Sequence, residues 1–126
     1  MKPLVCLLAV VALVAACGGG GTKLATLEKT RTCLIAHHVS LGGQLDFVAT
    51  TATGGVLRAH LAKNVATVVF GATLADADNI NEAYHRFHSE NVGIDDVLRQ
   101  QANVVMLWRR HPSDSEQARI TSCLDL

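Results

Sequence analysis

Residues 56–70 read VLRAHLAKNVATVVF. Leu57, Ala59 and Leu61 alternate with Arg58 and His60, the period of a strand with one apolar face and one partly wet face. Lys63-Asn64 turns the chain. Val65–Phe70 is rich in β-branched residues and predicts a second strand antiparallel to the first.

Toward the N-terminus, Thr53-Gly54-Gly55-Val56 offers the two-residue glycine turn of a tight hairpin, because both central positions take positive φ without a Cβ clash. Before it Leu45, Phe47 and Ala49 alternate with Asp46, Val48 and Thr50, which predicts a strand over 45–50. Further upstream, Leu24, Leu27, Leu34 and Ile35 recur at helical spacing. A first helix is expected from Lys23 to about His38, with His37 and His38 in its last turn near the negative end of the dipole.

Toward the C-terminus, Gly71 ends the strand, and Thr73 with Asp76 three residues on approximates a capping box. Ala77, Ile80, Ala83, Tyr84 and Phe87 form an apolar stripe, predicting a helix that packs on the sheet and stops at Asn91–Gly93. Ile94–Gln101 is expected as a short helix, with Asp95 and Asp96 at its N-terminal end. Ala102–Trp108 is expected as a fourth strand, apolar on both faces, with Met106 and Trp108 opposite Val105 and Leu107. His111-Pro112 bars further pairing, and Ser113 with Glu116 is a capping box that opens a last helix through Cys123. The predicted order is α-β-β-β-α-(α)-β-α. This is a single α+β domain over 23–126, a small two-layer sandwich of about four mostly antiparallel strands and three to four helices.

The N-terminal segment is of a different kind. Lys2 precedes an uncharged apolar run over 3–16, shorter than the roughly 20 residues a membrane span needs. The quartet Val14-Ala15-Ala16-Cys17 resembles the lipobox of bacterial lipoproteins. The resemblance covers only the first seventeen residues. It implies a signal peptide over 1–16 and, over 17–22, a lipidated Cys17 with a glycine-rich tether that reaches some ~11 to 13 Å. The membrane partner is then reached through lipid on Cys17, and the domain is exported and anchored to the outer face of the bacterial cytoplasmic membrane or to the outer membrane. A plain secretory signal cut after Ala16, or an uncleaved anchor, also exports the domain.

The same resemblance implies a role for the cysteines. Cys6 leaves with the signal and Cys17 takes lipid, so Cys33 and Cys123 remain to pair in an oxidising compartment. The alternative is two separate buried thiols. Closing so long a loop stabilises by ~4 to 5 kcal/mol in the chain-entropy account.

Eleven basic residues balance eleven acidic ones, and loss of Lys2 leaves ten against eleven. Such a domain has no field that steers nucleic acid, and no nucleic-acid partner is expected. Its five aromatics (Phe47, Phe70, Tyr84, Phe87, Trp108) are too few for a base-stacking platform. His85 and His88, three apart on the second helix, with His60 off the polar side of its strand, are the candidate zinc or copper ligands. Solvated surface histidines are the competing reading, because Tyr84 and Phe87 turn the helix's apolar side to the core. The run from Asp76 to Phe87 fails as a calcium loop at Ile80, Asn81 and Phe87. Arg109-Arg110-His111, with Arg99 and Arg119, is a candidate basic spot for lipid head groups or an acidic partner, against a plain solvated loop. No serine sits in a glycine-flanked elbow, and no triad or carboxylate pair can be named. The functional expectation is a membrane-anchored envelope lipoprotein of unspecified activity whose domain is a non-enzymatic interaction or accessory module with an envelope protein partner. A small-ligand or metal-binding lipoprotein is the alternative.

Overall fold

The structure, a computed structural model, describes residues 23–88 and 93–126. The signal segment, Cys17, the glycine tether and the expected helix stop at Asn91 lie outside the described residues. The described chain is a small α+β fold built on one five-stranded antiparallel sheet. In chain order it runs α1 (Leu27–Ala36), β1 (Ser40–Leu41), a 3-10 turn (Ala49–Thr51), β2 (Val56–His60), β3 (Val65–Phe70), α2 (Leu74–Phe87), α3 (Ile94–Val97), β4 (Leu98–Gln101), β5 (Val104–Trp108) and α4 (Asp114–Thr121). The strands are ordered β1-β2-β3-β5-β4. Among the described residues no helix is long and apolar enough to cross a membrane.

The hairpin over 56–70 sits at the centre, with Leu57 opposite Val68 and Arg58 opposite Thr67. Residues directly opposite share a face. One face therefore carries Leu57, Ala59, Val68, Phe70, Met106 and Trp108, all buried. Ile35 of α1 lines a surface cleft with Leu41 and Leu57 of that face, and the Cys33–Cys123 disulfide ties α1 to the end of α4. The other face is only half-covered over β2, where Val56 and Arg58 are partly exposed. Over β3 and β5 it is covered more deeply: Val69 and Val105 are fully buried, while Val65 and Leu107 toward the sheet's other end stay partly exposed. That cover explains why β5 is apolar on both sides, as its sequence requires. Each fully buried side chain of Leu or Phe size contributes about 1.5–3 kcal/mol.

Local chemistry sets the helix ends. Thr73 Oγ1 accepts from Asp76 N and starts α2, and the reciprocal Ser113–Glu116 box starts α4, both as the sequence predicts. The first helix is shorter than expected. Thr26 caps it, Leu24 lies outside it, and it closes at His37, after which His38 takes a left-handed φ of +59°.

Two segments depart from expectation. The 45–50 segment is no strand, because its polar side chains bond their own backbone: Asp46 Oδ1 accepts from Ala49 N at 2.9 Å, and the Thr50 and Thr51 hydroxyls donate to the Phe47 and Val48 carbonyls. The sheet takes Ser40–Leu41 instead. The glycines then serve another purpose. Gly54 N donates to Phe70 O and Phe70 N to Gly55 O, which extends the β2–β3 pairing, and a Cβ on Gly54 would stand 2.8 Å from Phe70 O.

The 94–101 segment is helical only over Ile94–Val97. Leu98–Gln101 crosses into the sheet as an edge strand paired with β5. The hairpin tip is Ala102-Asn103, with Ala102 at φ +50°. The strand expected over 102–108 therefore begins at Val104.

Candidate functional site

The most developed surface feature begins with a buried contact between distant segments. Tyr84 is buried on α2, and its hydroxyl donates to the Asp46 carboxylate at 2.9 Å (Oδ2) and 3.1 Å (Oδ1). Asp46 Oδ1 also accepts Ala49 N, so one carboxylate closes the 46–51 turn and fastens it to α2. Burial first, then the neighbouring Asp46 charge and hydrogen bond, push the Tyr84 phenol well above its usual value. Tyr84 is therefore a neutral donor that positions the turn.

The consequence is an exposed aromatic pair. Phe47, next to Asp46, and Phe87, one turn beyond Tyr84, are 73% and 62% exposed, yet their rings meet edge-to-face with centroids 6.4 Å apart. The sequence reading places Phe87 on the apolar stripe turned to the core and Phe47 in a strand. The bend at Asp46 lifts Phe47 out, and Phe87 is the last residue of α2, past the buried Ala77, Ile80 and Tyr84. The Arg86 guanidinium lies 6.0 Å from the Phe87 ring centroid, a cation–π contact, and Glu82 pairs with Arg86 at 3.4 Å. Beneath the rings, Val48, Tyr84, Ile94 and Leu107 line a cleft of about 270 Å³. Small-molecule sites run from about 300 to 1,000 Å³. A cleft below that range suits one or two apolar side chains.

The candidate metal residues are not brought together. His60 ends β2 with Nε2 at 2.6 Å from Gly42 O. His85 Nδ1 lies 2.9 Å from Asn81 O, and its Nε2 lies 2.9 Å from Asp95 Oδ1, so both ring nitrogens are engaged. His88 lies just past α2 with extended backbone, so helical spacing does not place it beside His85. The Asn81 carbonyl first, then Asp95, raises the His85 pKa above its ordinary value. Among the described residues, the one convergent set of metal-type ligand atoms is Cys33, His37 and Cys123. There the two sulfurs are bonded to each other.

The basic residues separate as well. Arg99 is bound to the Asp95 and Leu98 carbonyls. Arg109 joins Arg58 at a shallow cleft over the half-covered sheet face, where Arg58 also donates to Gln44 O. Arg110 and Arg119 meet Lys63 in a different and larger cleft of about 470 Å³ beside α4. Among the described residues no serine hydroxyl bonds a histidine; Ser113 Oγ caps α4 and touches Ser115 Oγ at 3.1 Å.

No family model, no curated protein and no solved structure matches this chain.

Proposed function

We propose that the chain is a membrane-anchored cell-envelope lipoprotein, tethered through Cys17, whose domain is a non-enzymatic module that docks an envelope protein. The observation that carries the docking reading is the exposed Phe47–Phe87 pair over its apolar cleft. Contiguous exposed apolar patches rimmed by polar residues mark interaction sites, and Phe is among the residues enriched at interfaces relative to the rest of the surface. Arg86 and Glu82 supply that rim. The Cys33–Cys123 disulfide supports the exported compartment, since such bonds persist where the surroundings are oxidising.

Co-purification from detergent-solubilised envelopes tests this. Wild-type protein is expected to hold a defined partner in fixed stoichiometry, and the Phe47→Ser/Phe87→Ser variant to lose it. Equal retention by the folded double variant, or no stoichiometric partner, contradicts the docking reading.

The alternative, a small-ligand-binding lipoprotein, is favoured by the basic cleft beside α4, whose volume falls within the small-molecule range.

A further inference from the structure

The loop between β2 and β3, the chain after β5 and the first turn of α4 meet around one buried side chain. Asn64 is 4% exposed. Its Oδ1 accepts from Val65 N at 3.0 Å and from Arg110 N at 3.1 Å, while Nδ2 donates to Arg110 O at 3.2 Å and to Glu116 Oε1 at 3.3 Å. All four hydrogen-bonding positions of the amide are engaged. The backbone of Arg110 is thereby fixed against β3, and the Glu116 carboxylate is fixed against Arg110.

Above this floor the charges do not balance. Among the described residues that line the cleft, Lys63, Arg110 and Arg119 face one carboxylate, that of Glu116. That carboxylate also accepts from Ser113 N at 2.9 Å, and this hydrogen bond first, with Asn64 and Arg110 adding to it, holds its pKa below the ordinary value. It stays ionised and committed. His111, at the rim, is bound to Asp96 Oδ1 through its Nδ1 at 2.6 Å, so that carboxylate is engaged outside the cleft floor. Arg119 donates one hydrogen bond to His37 O at 3.0 Å, and a guanidinium has four donors more. The ammonium of Lys63 and the guanidinium of Arg110 make no hydrogen bond or close ion pair among the described residues. The first turn of α4 is not the source of the field, because Ser113 Oγ and Glu116 already cap it.

Three cations against one carboxylate leave an excess that matches a doubly charged oxyanion. Two guanidinium forks, a lysine and the Ser115 hydroxyl are the donor set that phosphate groups take. The cleft volume of about 470 Å³ exceeds what a bare phosphate fills, so the phosphate comes attached to a small molecule.

Position in the fold decides between a soluble ligand and a lipid head group. Val65, at the start of β3, lies beside the cleft. Gly71, just past its end, is bonded to Asn103, which also binds Ala25. β3 spans ~17 to 20 Å. The chain preceding Ala25 therefore leaves from the end of the sheet opposite the cleft. Resting on the tethered reading above, this puts the attachment of the tether and the cleft at opposite ends of the sheet, which favours a soluble ligand over a head group of the anchoring bilayer.

We infer that the Lys63–Arg110–Arg119 cleft is a binding site for a small soluble phosphomonoester. The test uses isotopically labelled full-length protein in neutral detergent micelles, with Cys17 acylation established separately by mass, so that a failed cleft and a failed anchor give distinct results. Glycerol 3-phosphate and inorganic phosphate are titrated at 150 mM salt. The amides of Asn64, Arg110 and Ser115 are expected to shift saturably, more tightly with the ester. Lys63→Gln/Arg110→Gln is expected to weaken this at least tenfold while the thermal midpoint stays within a few degrees. Should that variant lose its fold, charge-reversing Lys63→Glu alone, at an exposed site, gives the same readout. Linear shifts that salt abolishes, or shifts unchanged in the variants, overturn the site. Binding to phosphatidylglycerol vesicles through Lys63 and Arg110, without saturable binding of the soluble ester, overturns the assignment to a soluble ligand.

Discussion

Asn103 holds Ala25 by both edges of its amide: Oδ1 accepts from the Ala25 N–H at 2.8 Å, and Nδ2 donates to the Ala25 carbonyl at 2.9 Å. The two residues are 78 apart in sequence. Nδ2 also donates to Gly71 O at 2.8 Å, and Gly71 N donates to Asn103 O. A side chain 2% exposed at a hairpin tip thus joins the start of the domain, the end of β3 and the β4–β5 turn.

Asn103→Ala strands a buried N–H and two carbonyls, and is expected to cost about 3 kcal/mol, measured by urea unfolding. Asn103→Asp is expected to be at least as damaging, because it turns a carboxylate oxygen toward the Ala25 and Gly71 carbonyls. A loss under about 1 kcal/mol for both variants would mean that water replaces the amide freely.

The second staple is covalent. Cys33 and Cys123 are 90 residues apart, and freeing them is expected to lower stability by about 4 to 5 kcal/mol in the chain-entropy account. Urea midpoints of the oxidised protein, the reduced protein and Cys33→Ser/Cys123→Ser check this. The last two should agree with each other.

His85 ties α2 to Asp95 of α3 and carries a pH signature. Its pKa in the fold is raised above the ordinary 6.5, first by the Asn81 carbonyl and then by Asp95. The protonated ring is the one the fold favours. Its contribution is therefore complete below the ordinary value and is lost as pH rises through the raised one. NMR titration should show the elevated midpoint in wild type and a smaller elevation in Asp95→Asn, where the Asn81 contact persists. The stability gap between wild type and His85→Gln should narrow as pH rises through that interval.

Phe47 and Phe87 make the opposite prediction, because their rings are mostly in water. Phe47→Ser and Phe87→Ser are expected to change unfolding free energy by only about 0.5 kcal/mol each, the range of surface substitutions, while abolishing partner capture. A loss of several kcal/mol would show that the pair serves the core.

Sequence patterning carried most of the sheet. The 56–70 hairpin, the apolar β5 and the caps at Thr73 and Ser113 stand where alternation and spacing place them, because local propensity and burial agree there. β4 was illegible for a physical reason: Arg99, Gln100 and Gln101 show no apolar alternation, as suits an edge strand with one neighbour. The 45–50 segment misleads in the other direction, having strand-like alternation that Asp46, Thr50 and Thr51 override through their own backbone bonds.

The sites were less legible still. Asp46 meets Tyr84 across 38 residues, and Asn64 meets Glu116 across 52. Neither pairing leaves a motif. Arg110 and Arg119 were visible as basic residues, but Lys63 joins them only through the fold, and Arg109 departs to another cleft.

The central proposal, an exported domain tethered through Cys17 and stapled by Cys33–Cys123, meets its most direct test in the intact mass of the mature protein isolated from membranes. The account predicts a chain beginning at Cys17, heavier by its acyl groups and lighter by the two hydrogens of the disulfide. An unmodified mass that includes residues 1–16 would contradict it.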